Sequence, residues 1–321
     1  MIRHVLGLLF LCGSMVCNAA SAQERDWPQQ PIRILVALAA GGLPDSVARI
    51  IAPHLSAALG QPVVVENRPG AAGNIAARAV AKSEPNGYTL LLGGLGLAVN
   101  PTLAPDPSFD YARDFAPISM LAEGSMVLVA TPSFPARNIT EFIAVAKEKP
   151  GAVSIAISAI GTPNHLGPEL LAQMAGVDVI LVPYTGISPA LSDLMAGRVQ
   201  LTIGAIPSVM PHVANGTLKA LAVTQSTRSS FAPEVPSADE AGLPGFGVNL
   251  WICLVAASGT PPAIIQKLNT EVRKIMALPE VRERFARLGA EPSSSSPEAL
   301  AEHIKAQTVQ WSETLKRARV K

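Results

Sequence analysis

The chain reads as an α/β protein built on parallel-rich sheets covered on both faces. Three observations predict this. Short β-branched runs alternate with helical patterns over almost the whole length. The runs are continuously apolar rather than alternating, the mark of strands buried on both sides. Proline is abundant, 28 in 321 residues, and it gathers with glycine at the junctions instead of forming a low-complexity tract.

In order, Ile32 to Val36 is a buried strand, and Gly41-Gly42-Leu43-Pro44-Asp45 turns into a helix. Val47, Ile51, Leu55 and Leu59 recur at i,i+4 spacing on one face of that helix, Pro53 kinks it and Gly60 stops it. Val63 to Val65 is the next strand, Ile75 to Lys82 a helix, and Tyr88 to Leu92 a strand ending in Gly93-Gly94. Later strands are expected at Met126–Ala130, Val153–Ile157, Val177–Val182, Val199–Ile203, Leu218–Val223 and Ile252–Ala256. Helices are expected at Ile139–Lys149, His165–Ala175, Pro189–Ala196 and Ser208–Ala214, with Pro262–Ala277, Glu280–Leu288 and Pro297–Ala318 closing the chain. There is no internal repeat and no long linker.

The N-terminus carries Arg3 and His4, an apolar run from Val5 to Val16, and the small-residue triplet Ala20-Ser21-Ala22. That order predicts a secretory signal peptide over 1–22, too short to span a bilayer, and hence a periplasmic protein. Cleavage there leaves Cys253 as the sole cysteine, so the core alone must hold the fold. About 300 mature residues suffice for two domains. The 25 Lys and Arg, one of them Arg3 in the leader, balance 24 Asp and Glu. Without a basic stripe, nucleic acid is not an expected partner.

Motifs for catalysis are absent: no G-x-S-x-G, P-loop, G-x-G-x-x-G or H-E-x-x-H. His54, His165, His212 and His303 have no metal-ligand spacing, and no cofactor is implied. Cys253 lies in an apolar strand and reads as a small buried hydrophobe. Polar, glycine-rich turns at the C-terminal ends of strands stand out instead, where ligands of open α/β sheets bind. Gly41, Gly42, Leu43 and Asp45 form the first; its exposed N–H groups at a helix start attract anions, and Asp45 either orients the turn or balances the helix dipole. The second holds Ser158, Ala159, Gly161, Thr162 and His165, with Thr162 or Asn164 available as a helix cap. Tyr184 and Thr185 follow a third strand, and Gly94, Gly204 and Ala205 are small enough for a ligand to approach. Leu43, Leu95, Ile160 and Ile206 suggest an apolar ligand body. A rival reading, an enzyme using Ser158 or Thr162 with His165, lacks a visible group to orient the histidine.

A colinear set of segments carries a resemblance. It includes Trp27-Pro28-x-x-Pro31-Ile32-Arg33, Ala40-Gly41-Gly42-x-x-Asp45-x-x-Ala48-Arg49, and the run from Leu59-Gly60-Gln61-Pro62 through Glu66-Asn67-Arg68-Pro69-Gly70 to Gly73-Asn74. Further on come Pro85-Asn86-Gly87-Tyr88, Asp114-Phe115-Ala116-Pro117, Gly161-Thr162-x-x-His165-Leu166 and Val182-Pro183-Tyr184. Over essentially the whole mature chain the sequence resembles the Bug family, the substrate-binding receptors of tripartite tricarboxylate transporters. The resemblance implies a type II periplasmic-binding-protein fold, two α/β domains with a ligand cleft between them. Domain 1 would be discontinuous, 23–124 and 250–321, and domain 2 would be 125–249. It also implies that the Gly41 and Ser158–His165 turns face each other and hold a small carboxylate. The partners implied are that ligand and integral membrane transporter subunits or a sensor, with a monomer as the default state. The family usually has Pro at Ala37 and Lys at Thr185, and often has an acid at Gln200. The missing lysine favours a monocarboxylate or aromatic acid over a dicarboxylate paired at both ends.

Overall fold

The structure, a computed structural model, describes residues 27–38, 40–158 and 161–317. The expected leader at 1–22, Ala159 and Ile160 lie outside the described residues. The chain begins β1 (Ile32–Val36), α1 (Leu43–Leu59), β2 (Val63–Asn67), α2 (Asn74–Ala81), β3 (Thr89–Gly94), α3 (Gly96–Leu103) and β4 (Phe115–Gly124). It continues with β5 (Met126–Ala130), α4 (Ile139–Glu148), β6 (Ser154–Ile157), α5 (Pro163–Ala175), β7 (Ile180–Pro183), α6 (Ile187–Met195), β8 (Leu201–Ala205), α7 (Ile206–Ala214) and β9 (Lys219–Val223). β10 (Leu250–Ala257), α8 (Pro262–Ala277), α9 (Pro279–Arg287), β11 (Glu291–Pro292) and α10 (Pro297–Arg317) complete it.

Two sheets result. The first runs β11-β4-β10-β3-β1-β2 and the second β7-β6-β8-β5-β9. Within the first, β1, β2 and β3 are parallel, and within the second β6, β7 and β8 are. β10 and β5 run antiparallel to both their neighbours. Each sheet is therefore mixed, with its parallel strands gathered on one side. The chain passes from first sheet to second at Ser125, between β4 and β5, and returns in the segment between β9 and β10. Thr224 ties the two passages together. Its N–H donates to the Met126 carbonyl at 2.9 Å and its hydroxyl to that of Val248 at 2.7 Å, while Val248 N–H donates back to the Thr224 carbonyl.

Burial explains why the strands read as unbroken apolar runs. One face of the first sheet packs α1, α8 and α9 through Val47, Ile51, Leu55, Leu268 and Phe285. Its other face joins the second sheet in one cluster that includes Leu91, Val99, Leu128, Phe142, Leu166, Trp251 and Trp311. α6 and α7 cover the remaining face of the second sheet. Helix starts are set by proline: Pro44, Pro163, Pro207, Pro262 and Pro279 each occupy a first-turn position, where no donor is needed. Gly60, left-handed at φ 69°, closes α1.

Three elements, β4, α3 and the two-residue β11, depart from the sequence reading. β4 is not among the expected strands, and Pro117 within it removes a ladder donor. It is accommodated by register shifts against β10, one of which skips Ile118, whose carbonyl accepts from the buried Asn269 at 2.7 Å. α3 is not among the expected helices; β3 ends in Gly93 and Gly94, as expected, and leads through Leu95 into it.

Candidate functional site: two glycine turns at the strand ends

The C-terminal ends of the parallel strands present two turns built alike. In the first, Gly41 is left-handed (φ 87°) and precedes the proline-led start of α1 by two residues. Its N–H donates to Asp45 Oδ2, four residues on, at 2.9 Å. In the second, Gly161 is left-handed (φ 81°) and precedes the proline-led start of α5 by two residues. Its N–H donates to His165 Nδ1, again four residues on, at 3.2 Å. Each turn thus folds a left-handed glycine over a helix start and fastens it with a side chain from that helix's first turn.

Asp45 is buried, and both its oxygens accept from Arg49 Nε at 3.0 Å. The Arg49 hydrogen bond holds the carboxyl below its ordinary range, against the opposing pull of burial. Asp45 orients the turn, the first of the two roles open to it from sequence. Gly41 and Gly42 are exposed, and the first-turn N–H groups of α1 have no acceptor within their own helix. Leu43 is half-buried against the α1 core.

The second turn is held by neutral groups. Asn164, 6% exposed, accepts from Ser158 N–H and donates to Thr202 Oγ1 at 3.2 Å and to the Ile203 carbonyl. Thr202 Oγ1 passes the chain on to the Ala156 carbonyl at 2.9 Å. Thr162, not Asn164, occupies the N-cap position of α5. His165 is buried, and that burial pushes its imidazole below the ordinary range, so it is neutral at pH 7. Because Nδ1 accepts, the ring proton sits on Nε2.

Register places the other candidates beside these turns. Ile157 pairs with Pro183 and Ala156 with Thr202, so Tyr184 and Thr185 at the end of β7, and Gly204 and Ala205 at the end of β8, flank Ser158. Tyr184 turns its hydroxyl onto Asp193 at 2.8 Å, while Thr185 is exposed. Gly94 and Gly204 have packing reasons to be glycine: a Cβ on the first would stand 2.5 Å from the Trp251 carbonyl oxygen, and on the second 2.4 Å from Val209 Cγ1. Ala159 lies outside the described residues. The second turn also abuts the first half of the chain. A Cβ on Gly161 would come 2.9 Å from Leu103 Cδ2 on α3, the helix that follows Gly94.

One expectation is corrected. Leu95 and Ile206 are 6% and 5% exposed and belong to core clusters, so they serve packing and do not offer an open apolar lining. Conversely, sequence reading missed Arg49 and Asn67 as members of the constellation, and took Asn164 for a cap where it acts as a hub. The Asp45–Arg49 spacing of four was the signal for one of them.

The model of the tripartite tricarboxylate transporter family receptor matches residues 47–319, which take in the second turn and every strand but β1. The chain belongs to this family. Among solved structures, this receptor is 36% identical to R. palustris Rpa4515 with adipate, covering 90% of this chain and 97% of that one at a TM-score of 0.76. It is 33% identical to MatC from Rhodopseudomonas palustris with bound malate, covering 90% and 100% at a TM-score of 0.73. It is 35% identical to the periplasmic binding protein BugD, covering 92% and 99% at a TM-score of 0.74. The receptor fold of two α/β halves is thereby shared with periplasmic solute-binding proteins.

Proposed function

We propose that this receptor is exported to the periplasm and captures a small organic acid between two domains, 23–124 with 250–321 and 125–249, without transforming it. The supporting observation is the pair of glycine turns, one from each sheet, with the second turn packed against the helix that follows β3. Relatives with adipate and malate bound supply the ligand class. Gly41, Gly42 and Leu43 on one side, and Ser158, Thr162 and His165 Nε2 with Tyr184 and Thr185 on the other, are the groups assigned to the ligand.

Closure follows from that assignment. An acid that touches both turns favours the closed arrangement by its differential affinity for it, and Thr224 keeps the two passages between the sheets in register. The closed form is what membrane transporter subunits would read. The His165 tautomer supports a binding role over a catalytic one. A general-base histidine of the triad type donates its Nδ1–H to an orienting acid, whereas Nδ1 here accepts from Gly161.

A thermal-shift screen of residues 23–321 against adipate, malate, benzoate, amino acids and the matching amides tests this. An acid at a hundred times its dissociation constant adds about 2.7 kcal/mol, a rise of several degrees. A shift with acids and none with amides is expected. No shift with any acid, before or after unfolding and refolding to strip a co-purified ligand, would sink the reading.

A further inference from the structure

The turn at Gly41 is enclosed by a ring of hydrogen bonds that reaches beyond its own helix. Gly41 N–H donates to Asp45. Asp45 accepts from Arg49 Nε, and Arg49 Nη2 donates to Asn67 Oδ1 at 3.1 Å. Asn67 Nδ2 then donates to the Leu38 carbonyl at 3.0 Å, which returns the ring to the same turn, three residues before Gly41. Asn67 is the last residue of β2, paired in register with Val36 at the end of β1. One side chain from the neighbouring strand therefore grips the near limb of the turn, while Asp45 grips the far limb, and Arg49 joins them.

We propose that Arg49 and Asn67 are positioning residues for ligand binding, a role resting on the carboxylate-capture reading above. Neither need touch the ligand. Two physical consequences separate them. Asn67 contributes geometry alone: without it, Leu38 and Arg49 each lose a partner and the turn is held at one limb only. Arg49 contributes geometry and charge. An anion arriving at the exposed Gly41 and Gly42 meets a buried carboxylate close behind them, and Arg49 is the cation that neutralises it. Removing Arg49 leaves Asp45 to repel the acid and to take up a proton at higher pH than in the wild type.

The test combines a ligand-free readout with a ligand-dependent one. Hydrogen exchange of the Gly41 amide is followed by NMR in the wild type, Asn67→Ala, Arg49→Lys and Arg49→Met; affinity for adipate, malate and benzoate is measured by calorimetry from pH 4 to 8. Gly41 exchange is expected to be about five- to tenfold faster in Asn67→Ala, because the turn opens locally more often. Acid affinity should fall about tenfold in Asn67→Ala and Arg49→Lys and further in Arg49→Met, one ordered charged contact being worth roughly that factor. In Arg49→Met part of the lost affinity should return as the pH falls and Asp45 takes up its proton, because the repulsion then disappears, a response that a merely structural role would not produce. Unchanged Gly41 exchange in Asn67→Ala overturns the proposal whether or not any acid binds. So does wild-type affinity in Asn67→Ala and Arg49→Met. Faster Gly41 exchange with no wild-type affinity for any acid would instead condemn the capture reading and leave no binding for these residues to position.

Discussion

The two glycine turns solve one geometric problem with opposite chemistry. Both place a left-handed glycine before a proline-led helix and fasten its N–H to the side chain four residues on. At Asp45 the fastening group is a carboxylate, ion-paired to an arginine whose side chain is 54% exposed. At His165 it is a neutral imidazole, and the hub beside it is a buried amide. The difference follows from surroundings. The first turn lies near the surface, where the buried Asp45 carboxylate is met by an arginine reaching in from solvent. The second is tucked between its sheet and α3, where an unpaired charge would be costly and neutral donors and acceptors are not. On the proposed reading, a ligand bridging them would meet a salt-sensitive jaw on one side and a salt-indifferent one on the other.

The largest break in that comparison should come at Asn164. Asn164→Ala strands Ser158 N–H and the Ile203 carbonyl inside the second half, at a cost of about 3 kcal/mol. A fall in melting temperature of about 8 °C, unchanged in 0.5 M salt, is expected by calorimetry. Asp45→Asn should be milder. The amide can still accept from Gly41, and an ion pair with a half-exposed arginine is worth only about 1 kcal/mol. Its penalty of about 3 °C should shrink in 0.5 M salt; equal salt response in the two variants would erase the distinction drawn here.

The smallest effect is a pH dependence confined to one turn. The folded-state pKa of His165 lies below the ordinary 6.5, so the unfolded chain binds the proton more readily. The stability this imidazole contributes is therefore complete above 6.5 and is lost as pH falls through that value towards the folded one. Asp45, depressed from 3.8, keeps its contribution throughout that window and yields it only at lower pH. The wild type should thus lose stability relative to His165→Gln between pH 7 and 5. Denaturant unfolding of the pair at several pH values checks this, and a flat difference would mean that the imidazole is not held neutral by its burial.

Most elements were legible because periodicity and punctuation agreed. The i,i+4 series of α1, its stop at Gly60 and the prolines at helix starts all name local events. What was not legible was non-local. Pro117 conceals β4 because a bulge in β4 itself, at Ile118, and a side chain from α8 repair the gap. The antiparallel setting of β5 and β10 follows from which sheet each strand joins, and no residue pattern carries that. The site divides the same way. Glycine, proline and capping residues located both turns, but Asn67 and Asn164 act across strand pairs, where sequence separation hides the partner. The likeness of the two turns is hidden in the sequence too, since Asp45 and His165 share a position and a task but no side-chain chemistry.

Cys253 sits in the middle of β10, opposite Gly93 on one side and Met120 on the other, fully buried, with its thiol pushed up by that burial. A clamshell motion about Ser125 and Thr224 would leave those two neighbours in place, because both belong to the first sheet. The thiol would therefore be blind to such a motion and bared only when that sheet comes apart. The molecule carries its own clock for whole-fold breathing, independent of the movement by which it would take up and surrender its cargo.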